Sequence, residues 1–186
     1  VFRTLRQPYG LSQAHNFLGD IARLQGDYAM AAAHYRESLP LARQAGVRSD
    51  MASLLHNLGY VALAQGDIRQ AAALFVEGLV LQREIGHQQG IAECLAGCAA
   101  VAAVRGQTEL AARLFGAADA LSTPASGPVW PAEQAEYSRH QVAAQAQLPP
   151  MVWESARAAG RAMSLAQAIE EARATRLVCE NTQHRI

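Results

Sequence analysis

One break in helical sequence recurs at a fixed interval and constrains the fold more than any other feature. Residues 62–75 read ALAQGDIRQAAALF, with Gly66-Asp67 set between two stretches of strong helix formers. Nearly the same break stands forty residues earlier, as Leu24-Gln25-Gly26-Asp27, and forty later, as Val104-Arg105-Gly106-Gln107. At the same offset Ala22 falls on Ala62 and Ala102, Ala31 on Ala71 and Ala111, and Tyr35 on Phe75 and Phe115. Leu18-Gly19 falls on Leu58-Gly59 and then on Cys98-Ala99. Three copies with one period and no insertion predict a helical solenoid.

Each recurring position has a mechanical role. Glycine takes the left-handed conformation that closes a helix and satisfies its last carbonyls. Asp27 and Asp67 follow at once and cap the next helix through side-chain oxygens, while Gln107 is a poorer cap, so the third corner is expected to be less well fixed. Gly-Asp is thus a tight corner between two antiparallel helices. Small residues at 19/59/99 and 31/71/111 let the two helices approach, and the aromatic at 35/75/115 is expected to fill the space between one pair and the next. First helices are expected near 11–25, 49–65 and 89–105, and second helices near 27–45, 67–85 and 107–121. The repeats are then 9–48, 49–88 and 89–121. Residues 1–5 overlay 41–45 and 81–85, so they are expected to be the stump of an earlier second helix.

The pattern resembles the tetratricopeptide repeat. Leu18, Gly19, Ala22, Ala31, Tyr35 and Ser38 hold that family's signature places in the first copy. Leu58, Gly59, Ala62, Ala71, Phe75 and Gly78 hold them in the second, and Cys98, Ala99, Ala102, Ala111, Phe115 and Ala118 in the third. The period is longer than that family's usual one, which adds about 9 Å of helix per repeat. The resemblance implies an all-α fold, a right-handed α-α superhelix of helical hairpins.

Composition agrees with an all-helical chain: half of it is apolar, aromatics are few, and no segment alternates with period two. Sixteen basic side chains, all arginine, balance sixteen acidic ones without a dense basic run, which argues against a nucleic-acid surface. There is no apolar run of the roughly 18–20 residues a membrane span needs and no signal-peptide pattern. Three cysteines do not make a disulfide framework, so a reduced, cytoplasmic protein is expected.

After Leu121 the repeat stops. Residues 122–130 are Pro- and Ser-rich and read as a loop. Helices are expected from Pro131 to about 147, from Pro149-Pro150 to about 161, and to about 177 from Ser164-Leu165-Ala166-Gln167, which is a capping-box pattern. These helices at 131–177 are expected to cover the open end of the array, with 178–186 a frayed tail. The order of AARLFGAADALS (111–122), Glu136-Tyr137, Trp153-x₆-Gly160-Arg161 and Ser164-Leu165-x-x-Ala168-Ile169 resembles the C-terminal region of large bacterial ATP-dependent, LuxR-type regulators of the STAND class. In that family a nucleotide-binding module precedes tetratricopeptide-like repeats, and a helix-turn-helix often follows them.

No catalytic constellation emerges. Cys94 and Cys98 are one turn apart but lack further metal ligands at a suitable spacing, and two small buried residues is the better reading. The six histidines show no paired metal spacing, and no phosphate-loop, dinucleotide or nucleophile-elbow motif occurs. No cofactor is expected in this segment. The tetratricopeptide resemblance implies a concave groove lined by first helices. Its inward positions are Gln13, Asn16, Asp20 and Arg23, then Ser53, His56, Tyr60 and Leu63, then Glu93 with Ala96, Ala100 and Ala103. Either a peptide, helix or small effector lies across this groove, or the C-terminal helices fold back onto its alanines. The expected function is non-catalytic: a protein-interaction or effector-sensing region of a bacterial transcriptional regulator in signal transduction. Nucleotide and DNA would then be bound only outside this chain. A free-standing repeat adaptor is the alternative and an all-helical enzyme the remote one.

Overall fold

The computed structural model describes residues 2–122 and 131–177. Within them the chain is all-α, with nine helices and no strand. It divides into two compact units, Val1–Ile85 and Gly86–Ile186. The expected tail at 178–186 and most of the loop at 122–130 lie outside the described residues.

The first unit holds α1 (Phe2–Leu24), α2 (Tyr28–Ala45), α3 (Arg48–Ala64) and α4 (Ile68–Glu84), as two antiparallel hairpins with α2 packed on α3. The corner after α1 is built from backbone alone. Gly26 has φ 78°, its N–H donates to the Arg23 carbonyl at 3.0 Å, and the Asp27 N–H donates to the Ala22 carbonyl at 2.9 Å. This double bond pattern satisfies carbonyls that the helix end leaves open. The Asp27 side chain then accepts from the Met30 N–H at 2.9 Å and opens α2. Asp67 repeats the cap on Gln70 at 2.9 Å. Gln107 makes no side-chain cap, yet its N–H reaches the Ala102 carbonyl at 2.9 Å, so the third corner keeps the same backbone closure. Corners between one hairpin and the next use glycine as well: Gly46 and Gly86 have φ 73° and 72°.

One expectation is corrected. Residues 2–5 are not a separate stump, because α1 runs unbroken from Phe2. The repeat explains why: position 6, which corresponds to Gly46 and Gly86, is Arg6, and a residue with a Cβ does not readily take the left-handed corner. The repeated aromatic has two kinds of neighbour: Tyr35 lies against Gly19 and Phe75 against Gly59 inside their own hairpins, while Tyr35 also joins Leu54, Leu58 and Val61 of the next hairpin in one core cluster. A Cβ on Gly19 would stand 2.5 Å from the Tyr35 ring, and one on Gly59 would stand 2.7 Å from Phe75. One layer along, Ser12 and Ser38 join α1 to α2: the Ser38 hydroxyl donates to the Ser12 carbonyl at 2.7 Å. The second copy has Ala52 and Gly78 there, both buried.

The second unit holds α5 (Gln88–Val104), α6 (Thr108–Leu121), α7 (Pro131–Gln145), α8 (Pro150–Arg161) and α9 (Leu165–Leu177). α5 is apolar on every side and buried along most of its length, as such a helix must be. It pairs with α6, and α7 and α9 pack against both. α8 crosses α6 with the backbones in contact: a Cβ on Gly116 would strike the Arg157 carbonyl, and one on Gly160 the Arg113 carbonyl. Trp153 is fully buried beside Phe115, at 6.3 Å between ring centroids, and Tyr137 meets Phe115 edge-on at 5.4 Å. Asp119 accepts from the Tyr137 hydroxyl and from Arg157 Nε at 2.8 Å, and Arg113 pairs with Glu171 at 2.9 Å. Ser164 and Gln167 close the capping box, with the Ser164 N–H donating to Gln167 Oε1 at 2.9 Å. Each element of the second resemblance therefore has a packing or capping task within this unit.

The glycines divide by what surrounds them, and their substitution separates backbone contact from helix propensity. Gly116→Ala and Gly160→Ala should each lower the unfolding free energy by about 2–3 kcal/mol in urea titrations, because carbonyls rather than side chains block the methyl. Gly10→Ala, in open space inside α1, should raise it by about 0.5–1 kcal/mol.

Candidate protein-interaction face

Polar side chains join the first helices of the two hairpins in the first unit. Asn57 on α3 donates through Nδ2 to Asp20 Oδ1 at 3.3 Å and to Asn16 Oδ1 at 3.5 Å. Gln13 on α1 donates to Asp50 on α3. Tyr35 on α2 donates its hydroxyl to the same Asp20 oxygen at 2.7 Å. Asp20 is thus the hub of a bridge that spans three helices.

Helix periodicity accounts for the grouping. Gln13, Asn16, Asp20 and Arg23 recur at intervals of three and four, so they share one stripe of α1. Burial raises the Asp20 carboxyl above its ordinary range, and the Tyr35 hydrogen bond and the nearby Arg23 charge only partly oppose this. Burial likewise holds the Tyr35 phenol protonated well above its usual pKa. The guanidinium of Arg23 is itself buried and interacts with both Tyr35 and Asp20.

The inward positions named from sequence fall into two groups. Ser53 is exposed, and Gln13, Asn16 and Asp20 are half-buried. Arg23, His56, Tyr60 and Leu63 are buried, which removes them from direct contact with a partner. His56 packs edge-on to Tyr60 at 5.0 Å and to Phe75 at 5.9 Å, and Tyr60 meets Phe75 at 5.0 Å. These three rings form a small aromatic core. Asn57 and Asp50 belong to the polar bridge although the inward spacing passes over them. The available signal is chemical: Asn57 is a polar residue embedded in the apolar run LLHNLGYVALA.

Glu93 lies in the second unit. It accepts from Gln89 at 3.0 Å, and burial raises its carboxyl above the ordinary range. Ala96, Ala100 and Ala103 are buried on α5, the helix on which α7 and α9 pack. They therefore offer no open alanine surface for a peptide.

Cys94 and Cys98 are buried; burial holds the Cys94 thiol well above its ordinary pKa and pushes Cys98 up to about 12, so neither is a thiolate near neutrality. His15 and His34 share a hydrogen bond between their Nδ1 atoms at 3.2 Å across α1 and α2. No group of three or more His, Cys, Asp or Glu side chains suited to a metal occurs among the described residues. No helix among them is long and apolar enough to cross a membrane.

The buried imidazole sets a pH dependence. Burial, reinforced by the Arg23 charge, lowers His56 from 6.5 to about 4. Between these values the unfolded chain binds the proton and the folded chain does not, so stability falls as pH drops. The loss should approach about 3 kcal/mol by pH 4. Asp20 and Glu93, raised rather than lowered, oppose this slope. His140, also lowered to about 4 by burial, adds to it. Unfolding titrations between pH 7 and pH 4 should show the loss, and His56→Gln should show a shallower one.

Comparison with known proteins agrees with the architecture. Residues 10–84, which contain both hairpins of the first unit beyond the start of α1, match the family model described as tetratricopeptide repeat. No curated protein and no solved structure matches the chain. The fold is tetratricopeptide-like: an all-α array of helical hairpins, of the kind that generally mediates contacts between proteins.

Proposed function

We propose that this chain is a non-catalytic binding region that receives a protein or peptide partner on the face shared by α1 and α3. The observation that carries this reading is the Asp20-centred polar bridge, which fixes the two first helices side by side while leaving amide and hydroxyl groups at its rim. Gln13 and Asn16 are half-buried there and Ser53 is exposed. A partner strand or helix gains specificity from such groups because they stand in fixed positions before it arrives. Glu93, on the first helix of the third copy, is a separate candidate position within the second unit.

We further propose that this region regulates a larger bacterial transcription factor of the ATP-dependent, LuxR-type class. Support comes from the ordered elements Glu136-Tyr137, Trp153-x₆-Gly160-Arg161 and Ser164-Leu165-x-x-Ala168-Ile169. In this reading a partner or effector biases the nucleotide module between off and on states, and the segment itself holds no cofactor. The setting is the cytoplasm, and binding couples to conformation rather than to chemistry.

Site-specific photocrosslinking in cells tests the face directly. A photoreactive residue replacing Ser53 should capture a discrete partner, or another region of the same polypeptide. The same residue replacing Glu77, exposed on α4, should not. Equal capture at both positions, or capture at neither, contradicts the assignment.

A further inference from the structure

α1 carries an apolar stripe that nothing among the described residues covers. Leu11, Leu18 and Ile21 are exposed on it, beside Ala14, Phe17 and Leu24. The repeat shows what such a stripe is for. Forty residues on, the same places are Met51, Leu54, Leu58 and Val61 of α3. Those four join one core cluster with Ala32, Leu39 and Ala42 of α2. The exposures differ accordingly: Leu58 is 7 % exposed and Val61 1 %, against 47 % for Leu18 and 51 % for Ile21. The stripe from Leu11 to Leu24 runs for about 20 Å of helix, long enough to seat a second helix along its length. Contiguous apolar surface of this kind marks an interaction site.

We propose that the α1 stripe seats the second helix of a further hairpin of this same repeat, lying on α1 as α2 lies on α3. Equivalence with the α2–α3 interface specifies the occupant: an amphipathic helix with alanine, leucine and alanine at the places of Ala32, Leu39 and Ala42. A second copy of this chain has no such helix to offer. Its own α2 stripe is buried under α3, and the corresponding α4 residues Ala72, Leu79 and Gln82 are buried too, the last of them polar. The stripe lies on a different face from the polar bridge, so this proposal stands or falls apart from the partner-binding reading above.

The test uses the full chain and a synthetic peptide of its own residues 27–47 as the probe. Amide chemical shifts are followed as peptide is added to about 1 mM. The expected result is one-to-one binding, with a Kd on the order of 100 μM, that shifts α1 amides. Ile21→Asp should weaken it at least tenfold while circular dichroism stays unchanged, because Ile21 is exposed; Leu39→Asp in the peptide should do the same. Three results would overturn the proposal. One is the absence of α1 shifts at the highest peptide concentration. Another is equal binding by an unrelated leucine–lysine amphipathic helix, which would make the stripe a generic partner groove. The last is concentration-dependent dimerisation through α1 that Ile21→Asp abolishes and the peptide does not compete with, which would assign the stripe to a second copy.

Discussion

The structure depends on a left-handed glycine repeated at every corner between consecutive helices from α1 to α6. A glycine in the left-handed conformation ends each helix, at residues 26, 46, 66, 86 and 106, with φ between 72° and 80°. Their spacing is uniform at twenty residues, so each helix from α2 to α5 is offered nearly the same length before it must turn. At 26, 46, 66 and 106 the following N–H returns to the carbonyl of Ala22, Ala42, Ala62 or Ala102, and no side chain is needed to complete the turn. This explains why the third corner survives with Gln107 in place of aspartate. The aspartates add a cap for the next helix, worth about 1 kcal/mol each, to a turn already closed.

Fixed helix length in turn fixes which side chains meet. Gly19 and Gly59 fall opposite Tyr35 and Phe75, and the missing Cβ is what admits each ring. Hairpins packed this closely place the first helices near one another, and Asn57 can then reach both Asn16 and Asp20. The polar face is therefore a consequence of the corners rather than a separate invention. The second unit uses the same economy of volume differently. Gly116 and Gly160 bring α6 and α8 into backbone contact, and Asp119, Arg113 and Trp153 secure the helices around that crossing.

Much of this is legible in the sequence because the repeat is strict. Helix order, the antiparallel pairing and the glycine corners at 26, 66 and 106 all follow from one period and elementary helix chemistry. The glycines at 46 and 86 carry the same signal at half the period, which the forty-residue overlay masks. At the start of α1 the overlay misleads: residues 1–5 match a second helix at 41–45, but the missing glycine at position 6 decides the outcome. Candidate binding residues are less legible for a physical reason. Spacing says which side chains share a stripe, but the tilt between helices decides which of them reach solvent. His56, Tyr60 and Leu63 share the α3 stripe with Ser53 and are nonetheless buried, as is Arg23 on α1. Asn57 escapes a reading by spacing because it lies one residue outside the stripe, at the junction where two helices meet.

The most direct test of the account is the unfolding free energy of Gly66→Ala. No atom lies within 4 Å of the position a Cβ would take, so the substitution creates no clash and changes only the backbone preference at φ 80°. The expected result is a loss of about 1–2 kcal/mol, the cost of holding an L-residue in the left-handed region. Unchanged or increased stability would mean that the corner does not depend on that conformation, and would contradict a backbone origin for the repeat.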